Sequence, residues 1–386
     1  MKYPTLESLR GVAAIMVALF HCGFVNGDKY PVIAQGPIFV DFFFVLSGFV
    51  MAFAYQDKIA QGLEFRSFIL LRLGRLYPLH LVMLLVWVPY IGAKYYAYHQ
   101  LGMGPSDPTQ DNNLYTFSTN VLLLHSLGFH DDQNWNTVSW SISVEFYTYI
   151  VFFLMLSVFR AGFRGWHAWS LAMAAYAALW GLGEGTLLKT YDYGILRAVG
   201  GFFLGVGVYT VHQHHQVTWG AVTSSLVEIG VVIVLAIAVI ASEGSRLGQL
   251  LTFGVFAVTV YVFAAQRAGM ISRLLLTSPM LFFGKLSYSV YMVHMLVFTV
   301  AAVAAHYVLK MPSVVVERAG ADLVRYINTP WADVITIVLM AVVIGLSWFS
   351  YRWIEAPWQD AVPPNSGFLT EISPQYPSGD RITLRD

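Results

Sequence analysis

The chain has 386 residues, of which 57% are hydrophobic, 16% are aromatic and only 11% are charged. With a mean hydropathy of +0.61, this composition excludes an ordinary soluble domain and predicts a protein that crosses a membrane several times. Basic and acidic residues balance at 22 each, so no net charge attracts nucleic acid. The single cysteine, Cys22, excludes an internal disulfide and a cysteine-ligated metal site.

Ten segments are long and apolar enough to cross a bilayer, which takes about 20 residues. They predict an all-α, polytopic transmembrane helix bundle with about ten spanning helices. The segments are residues 5–25, 38–55, 70–92, 139–159, 166–183, 195–211, 222–241, 247–265, 280–308 and 333–354. An eleventh run, residues 114–127, is interrupted by polar side chains and is predicted to be re-entrant or interfacial.

The distribution of basic residues decides the orientation, because loops on the cytoplasmic side carry an excess of Lys and Arg. If residues 114–127 do not span and the amino terminus is cytoplasmic, ten basic side chains fall inside. These are Lys58, Arg66, Arg72, Arg75, Arg160, Arg164, Arg267, Arg273, Lys285 and Arg352. We therefore expect a membrane domain over residues 1–357, outward loops near 93–138 and 309–332, and a disordered cytoplasmic tail over 358–386.

The first predicted helix carries three ionisable groups in a segment bound for lipid. Arg10 and His21 are eleven residues apart, which is three helical turns, so they share a face and stand about 16 Å apart along the axis. Glu7 lies one turn before Arg10. Because charges in a membrane usually face the bundle interior or a water-filled cavity, the stripe predicts a channel along this helix, with His21 deep in the outer half.

Further polar residues lie in apolar surroundings. Asp41 opens the run DFFFVLSGF, Glu145 lies in WSISVEF and His294 lies in YSVYMVH. Each could simply make a hydrogen bond between helices. Together with His21 they favour general-base chemistry, in which Asp41 or Glu145 orients the histidine and fixes its tautomer.

Two arginines and two tryptophans are candidates for ligand binding. Arg72 and Arg75 in RLGRLYP share a helix face at the cytoplasmic boundary, where they suit either phosphate binding or ordinary anchoring. Trp135 and Trp140, in the stretch HSLGFHDDQNWNTVSW that leads into the predicted span 139–159, suit sugar recognition or an interfacial aromatic belt. No ligand spacing predicts a metal site.

Six ordered blocks resemble the acyltransferase-3 family of integral-membrane acyltransferases, and the resemblance extends from residue 5 to about 357. The blocks are LESLRGVAAIMVALFH, DFFFVLSGF, RLGRLYP, WSISVEFY, LSYSVYMVH and YRWIEAPW. The likeness is to bacterial enzymes that decorate surface or secreted glycans. Some relatives add a carboxy-terminal SGNH hydrolase-like domain, which we expect this chain to lack, since about 30 residues follow Glu355.

The resemblance implies transfer of an acyl group, commonly acetyl, from cytoplasmic acyl-CoA to a hydroxyl of an exported or lipid-linked glycan. It implies a multi-pass protein of the bacterial inner membrane, in contact with lipid. It places His21 in the catalytic position, with Asp41 and Glu145 as acidic partners of less defined role. It places Arg10, Arg72 and Arg75 in positions tied to donor handling. We add Trp135, Trp140 and His294 as residues expected to contact the acceptor.

Two other functions remain open at this stage. Intramembrane Glu, Asp, His and Arg also mark proton-coupled transporters, although no inverted repeat is evident. An acyltransferase of this type could also act on a lipid or a small hydrophobic metabolite. The sequence does not specify the acyl group, the acceptor sugar, an acyl-enzyme step or the oligomeric state.

Overall fold

The computed structural model describes residues 3–361 except residues 105, 216, 218, 266–267 and 319–320. In this part of the chain, ten helices have 18 or more residues. They are α1 (Pro4–His21), α3 (Phe39–Ala60), α4 (Phe65–Leu101), α6 (Trp140–Phe159), α7 (Gly165–Leu182), α8 (Gly194–His214), α9 (Ala221–Ala241), α10 (Arg246–Ala265), α12 (Ser278–Val303) and α13 (Ala332–Ser350).

Shorter elements connect these helices. The short helices are α2 (Pro31–Ala34), α5 (Leu114–Val121), α11 (Met270–Leu275) and α14 (Ala356–Ala361), and π-helical turns cover Ala304–Val308 and Tyr351–Glu355. One antiparallel hairpin, β1 (Val314–Arg318) with β2 (Ala321–Arg325), pairs Val316 with Leu323. This hairpin lies within the predicted loop 309–332, where the sequence analysis expected no strand.

The ten long helices correspond one to one with the ten predicted spans, which confirms the all-α polytopic fold. Eight of the described helical segments are also apolar enough to cross a membrane. The remaining two, α1 and α7, reach the length of 18 residues but are less apolar. For α1 the reason is the polar stripe of Glu7, Arg10 and His21, which lowers its mean hydropathy.

The predicted re-entrant or interfacial run contains α5, which has only eight residues and is about 12 Å long. A helix of this length cannot cross a hydrocarbon core of about 30 Å. Asn113 caps its first turn by accepting a hydrogen bond from the Thr116 amide, and Thr116 Oγ1 accepts one from the Asn113 amide in return. The chain then turns back toward α6.

Helix α4 is longer than the predicted span 70–92, because it continues for 37 residues through Pro78 and Pro89. Its length of about 55 Å exceeds the hydrocarbon core, so it extends beyond the membrane. At the other end of the chain, α14 continues the helical structure to residue 361. The predicted disordered tail falls almost entirely on residues 362–386, which lie outside the described residues.

The most buried of the apolar helices are α3 and α8. In the most apolar windows of Gly36–Ala60 and Gly194–His214, 72% and 78% of residues are buried, whereas the figure is 17% for Ala221–Ala241. Polar residues on α3, such as Asp41, therefore lie inside the protein, and on α1 Thr5 and Ser8 are fully buried as well. We call the end of the bundle at which α1 begins the inner end and the end at which α1 finishes the outer end.

Candidate functional site

The site is organised by an unusually close approach of α1 and α12. A Cβ atom at Gly11 would lie 2.6 Å from the backbone carbonyl carbon of Phe283, and one at Gly284 would lie 2.6 Å from the Glu7 carbonyl oxygen. Only glycine allows the two backbones to touch at this distance, as small residues do between membrane helices. The contact aligns the polar residues of α1 with polar residues of α12.

Two aligned pairs follow from this packing. Toward the inner end, the Arg10 guanidinium donates through Nε to Ser287 Oγ at 2.8 Å and through NH2 to the Gly284 carbonyl at 3.4 Å. Toward the outer end, His21 Nδ1 lies 3.2 Å from His294 Nε2. Residue numbers rise together along α1 and α12 from the first pair to the second, so the two helices run parallel.

Backbone carbonyls define the proton positions on the two histidines. His21 Nδ1 lies 2.9 Å from the Val17 carbonyl oxygen, and His294 Nδ1 lies 3.0 Å from the Val290 carbonyl oxygen. A carbonyl can only accept, so each Nδ1 carries a proton, and in a neutral ring each Nε2 is then an acceptor. His294 Nε2 accepts from His21 Nδ1, and His21 Nε2 keeps its lone pair.

His21 Nε2 is the nitrogen that remains for chemistry. Its ring is only partly buried, whereas the His294 ring is fully buried. Among the residues that the structure describes, no protein group forms a hydrogen bond with His21 Nε2. A neutral imidazole with an unpaired, accessible nitrogen has the arrangement that a general base or nucleophile requires.

The end of α1 beside His21 is held by the β-hairpin. Arg325 donates through NH1 to the Cys22 carbonyl at 2.6 Å and through NH2 to the Phe20 carbonyl at 2.8 Å. Its guanidinium also lies over the Phe20 ring. A cation at a helix carboxyl end is favoured by the helix dipole, so this contact stabilises the segment that carries His21. Sequence reasoning missed Arg325, because nothing in its own segment marks a helix-capping role.

The predicted channel along the α1 stripe is closed in the structure. Ala14 and Val17 lie on the same face between Arg10 and His21, and their exposed fractions are 0% and 1%. The close approach at Gly11 and Gly284 explains this closure, because it leaves no space between α1 and α12. A path from the inner end to His21 must therefore pass beside other helices.

Asp41 has a different partner from the one that we expected. Both of its oxygens accept hydrogen bonds from Arg197, at 2.9 Å from Nε to Oδ1 and 2.6 Å from NH2 to Oδ2, and the pair is fully buried. Arg197 also donates to the carbonyl oxygens of Pro37 and Lys189. Asp41 therefore ties α3 to α8 and has no hydrogen bond with His21. The signal that we overlooked is Arg197 itself, a charge within the predicted span 195–211.

Glu145 also lies away from the histidine pair. Its Oε1 accepts hydrogen bonds from Ser47 Oγ at 2.7 Å and from Tyr149 OH at 2.5 Å. Unlike Asp41, it is only partly buried and lies within electrostatic range of Arg10. The two predicted acidic partners are thus separate in the structure. Asp41 belongs to a buried ion pair, and Glu145 belongs to a group of charged residues that we call the inner polar cluster, which consists of Arg10, Arg72, Arg75, Glu145 and Glu355.

The three predicted donor-binding arginines belong to that inner polar cluster. Arg72 is nine-tenths buried, donates through NH2 to Tyr55 OH at 2.5 Å and lies over the Tyr55 ring. Its Nε is buried without a partner, and no carboxylate forms an ion pair with it in the described residues. Arg75 lies within electrostatic range of Arg10 and Glu355. A buried arginine without a carboxylate suits an anionic ligand.

Glu355 is a member of the inner polar cluster that sequence reasoning missed. It lies in the π-helical turn Tyr351–Glu355, is 4% exposed and accepts a hydrogen bond from Ser289. Such turns inside helices frequently occur at functional sites. The available signal was an acidic residue in an apolar closing segment, the same feature that singled out Glu145.

The two predicted acceptor-binding tryptophans are packed into the protein. The exposed fractions of Trp135 and Trp140 are 8% and 7%. Trp135 donates through Nε1 to Thr116 Oγ1 at 3.0 Å, and Trp140 lies under the Arg197 guanidinium. Neither ring presents a free face, so the structure does not support stacking of a sugar on either one. His294, the third residue expected to contact the acceptor, contacts His21 instead.

Several buried polar atoms on α4, on α5 and in the segment between α5 and α6 have no hydrogen-bond partner in the part of the chain that the structure describes. They are His80 Nδ1, Asn120 Oδ1, His125 Nδ1, Ser126 Oγ and Asn136 Oδ1, and we call them the outer polar group. Asn136 Nδ2 donates to the Met292 carbonyl, two residues before His294, which connects the group to the pair. Burial, with His80 as the second cause, lowers the pKa of His125 to about 3, so this ring is neutral. Buried polar atoms of this kind require water or ligand groups.

The described residues contain no cluster of three or more His, Cys, Asp or Glu side chains that could hold a metal ion. The fold and the site therefore define a polytopic helical membrane protein with a paired-histidine centre and an inner cluster of arginines.

Comparison with known proteins identifies the family to which this chain belongs. The family model described as an acyltransferase domain of the acyltransferase-3 type matches residues 3–352, and the chain belongs to this family. It is a multi-pass membrane protein with an acyltransferase domain. It is also 36% identical over 96 residues to "Protein 2 in picA locus" of Rhizobium radiobacter. That match covers 24% of this chain and 48%, about half, of the relative. No solved structure matches.

Proposed function

We propose that the protein is an O-acyltransferase that moves an acyl group, acetyl in the simplest case, from cytoplasmic acyl-CoA to a hydroxyl of an exported or lipid-linked glycan. In this proposal it lies in the bacterial inner membrane, with its inner end and both termini on the cytoplasmic side. His21 is the general base, and Arg10, Arg72 and Arg75 attract the anionic donor.

The unpaired Nε2 of His21 is the observation that carries this proposal. A thioester is already activated, so its transfer to an alcohol needs mainly a base for the hydroxyl proton and donors for the developing oxyanion. The carbonyl of Val17 keeps the Nδ1 proton in place, which leaves Nε2 as the acceptor. A polar nitrogen without a partner is costly inside a membrane protein, so its presence there indicates a functional site.

The transfer step can be written with this base. The acceptor oxygen attacks the thioester carbonyl carbon while its proton passes to His21 Nε2. The tetrahedral intermediate then collapses, the carbon–sulfur bond breaks, and the CoA thiolate takes the proton from the imidazolium. The products are an ester on the acceptor and free CoA thiol, and His21 returns to its neutral form.

Donor binding at the inner end is supported by the arginines and by a nearby cavity. Arg72, which forms no ion pair with a carboxylate of the described residues, donates a hydrogen bond to Tyr55, and Tyr55 lies one helical turn from Ile59. Ile59 lines a cavity of about 290 Å³, together with Gln61, Ser157 and Arg160. The cavity therefore has Arg160 in its own lining and begins one helical turn from the partner of Arg72, an arrangement that suits a phosphate-bearing ligand.

Because α1 and α12 close the stripe between Arg10 and His21, we propose that the acyl arm passes beside α3 and α6. Ser47 and Glu145 are partly accessible there and lie between the arginines and the histidine pair along these helices.

The outer polar group supports a hydroxyl-rich acceptor, because sugar hydroxyls both donate and accept and can satisfy unpaired histidine, serine and asparagine atoms.

The proposed function can be tested with proteoliposomes that carry the purified protein in their membrane and labelled acetyl-CoA in their interior. Oligosaccharides are added outside, and label is measured in oligosaccharide, lipid and free acetate. Label on the oligosaccharide supports the proposal, and label on lipid favours the lipid-acceptor alternative. Uptake of an oligosaccharide into vesicles without modification favours the transporter.

His21→Ala is the decisive variant in the same assay. We expect it to abolish transfer while CoA binding is retained. His214→Ala is the matched control, because this histidine is exposed at the end of α8. Full activity of His21→Ala would refute the base assignment.

A further inference from the structure

We propose that His294 is a positioning residue for His21, which holds the base in its reactive tautomer and stabilises the imidazolium formed during transfer. This inference rests on the proposed acyl transfer, but it assigns to His294 a role other than acceptor contact. It depends on the series of hydrogen bonds that runs from the Val290 carbonyl through His294 to His21 and the Val17 carbonyl.

This series of hydrogen bonds is compatible with only one arrangement of protons when both rings are neutral. His294 Nδ1 must donate to the Val290 carbonyl at 3.0 Å, so its Nε2 has a lone pair. This lone pair lies 3.2 Å from His21 Nδ1, which also donates to the Val17 carbonyl at 2.9 Å. The opposite tautomer of His21 would place the lone pair of Nδ1 against those of His294 Nε2 and the Val17 carbonyl oxygen.

A second acceptor at His21 Nδ1 matters most after His21 has taken the proton. Hydrogen bonds from a charged donor are about twice as strong as those between neutral groups. A carboxylate has this role in Ser-His-Asp triads. Here, in the described part of the chain, no carboxylate forms a hydrogen bond with either ring, and the buried His294 Nε2 is the side-chain acceptor available to His21.

The other groups around the pair do not replace His294. On α12, the ring centres of Tyr291 and Phe298 lie 5.9 Å and 6.0 Å from that of His294. Tyr291 OH is bonded to the Val138 carbonyl and Ser141. Arg325 is the cation that faces His21 from the hairpin, and it donates to the carbonyls of Phe20 and Cys22. Among the side chains that the structure describes, only that of His294 lies within hydrogen-bond distance of His21 Nδ1.

Two substitutions separate positioning from packing. His294→Gln keeps an oxygen that can accept a hydrogen bond, whereas His294→Leu keeps bulk without an acceptor. With proteoliposomes, acetyl-CoA and an oligosaccharide, we expect His294→Leu to lower kcat about 100-fold. We expect KM for both substrates to stay within about 3-fold and His294→Gln to remain within about 10-fold of wild type.

The double variant shows whether the two histidines act as a unit. If they do, His21→Ala combined with His294→Leu is no less active than His21→Ala alone. Thermal unfolding and CoA binding confirm that each variant is folded, and His294→Val replaces His294→Leu if the latter does not fold.

The outcomes distinguish the two proposals. An inactive His21→Ala with a fully active His294→Leu overturns the positioning role and leaves the proposed function intact. Equal losses in His294→Gln and His294→Leu, or a raised KM for the oligosaccharide with unchanged kcat, also overturn it. An active His21→Ala overturns both proposals, because there is then no base to position.

Discussion

Asp41 and Arg197 form a fully buried, doubly hydrogen-bonded ion pair between helices α3 and α8. Removing one partner from such a pair leaves an uncompensated charge in a medium that solvates it poorly. We expect Asp41→Ala to lower the free energy of unfolding by about 3 to 5 kcal/mol, measured by thermal or denaturant unfolding in detergent.

The double variant Asp41→Leu, Arg197→Met is the control, because replacing a buried pair by apolar residues is often neutral. We expect it to recover both stability and acyl transfer. A folded double variant without activity would instead support the catalytic role that the sequence suggested for Asp41.

The contact between α1 and α12 predicts a steric effect at Gly11. A methyl group there would meet the Phe283 backbone, so Gly11→Ala must separate the helices that align His21 with His294. We expect a loss of about 1 to 3 kcal/mol in unfolding free energy and a decrease in kcat.

Gly254→Ala is the matched control, because a Cβ atom there has no neighbour within 4 Å. A helical Gly→Ala change in open space is expected to be neutral or stabilising. Equal unfolding temperatures for the two variants would show that the Gly11 contact does not limit the packing.

Arg72 predicts a change in donor affinity. Because its charge is buried and no carboxylate in the described part of the chain pairs with it, Arg72→Gln should remove a charge-assisted contact and weaken CoA binding about 10-fold, measured by isothermal titration calorimetry. Arg66→Gln, which changes an exposed arginine near the start of α4, is the control. If both variants bind CoA as the wild type does, Arg72 serves only to anchor the helix.

His125 predicts a dependence of stability on pH. Its folded pKa of about 3 lies below the value of about 6.5 expected in the unfolded chain. Between these values the unfolded chain binds a proton that the folded protein does not. The contribution of His125 is therefore complete above about pH 6.5 and declines as the pH falls, by at most about 1.4 kcal/mol per pH unit.

Unfolding temperatures at pH 7.5 and pH 5.0 test this dependence. We expect a smaller decline in His125→Gln than in the wild type, although the variant starts less stable because it loses the contact with Ser139. His214→Gln, at an exposed position, should retain the wild-type decline. Identical declines in all three proteins would mean that other groups cause the acid sensitivity.

The spans and the polar stripe could be predicted because they depend on local properties of the chain. Hydropathy over about 20 residues marks a helix that can cross a membrane, and the helical period alone places Arg10 and His21 on one face. The same reasoning identified the eight-residue α5 as a segment that does not span, because polar side chains interrupt it. The ordered motifs were sufficient to suggest the family.

The partners of the polar residues were decided by tertiary structure. His21 contacts His294, which lies 273 residues later in the sequence, and Asp41 contacts Arg197, which lies 156 residues later. No periodicity reports such pairs, because they depend on which helices pack together and how closely glycines allow them to approach. For the same reason the burial of Trp135 and Trp140 was not predictable from their aromatic character. Local physics thus determined the helices of this protein, and packing between distant helices determined the partners of their polar side chains.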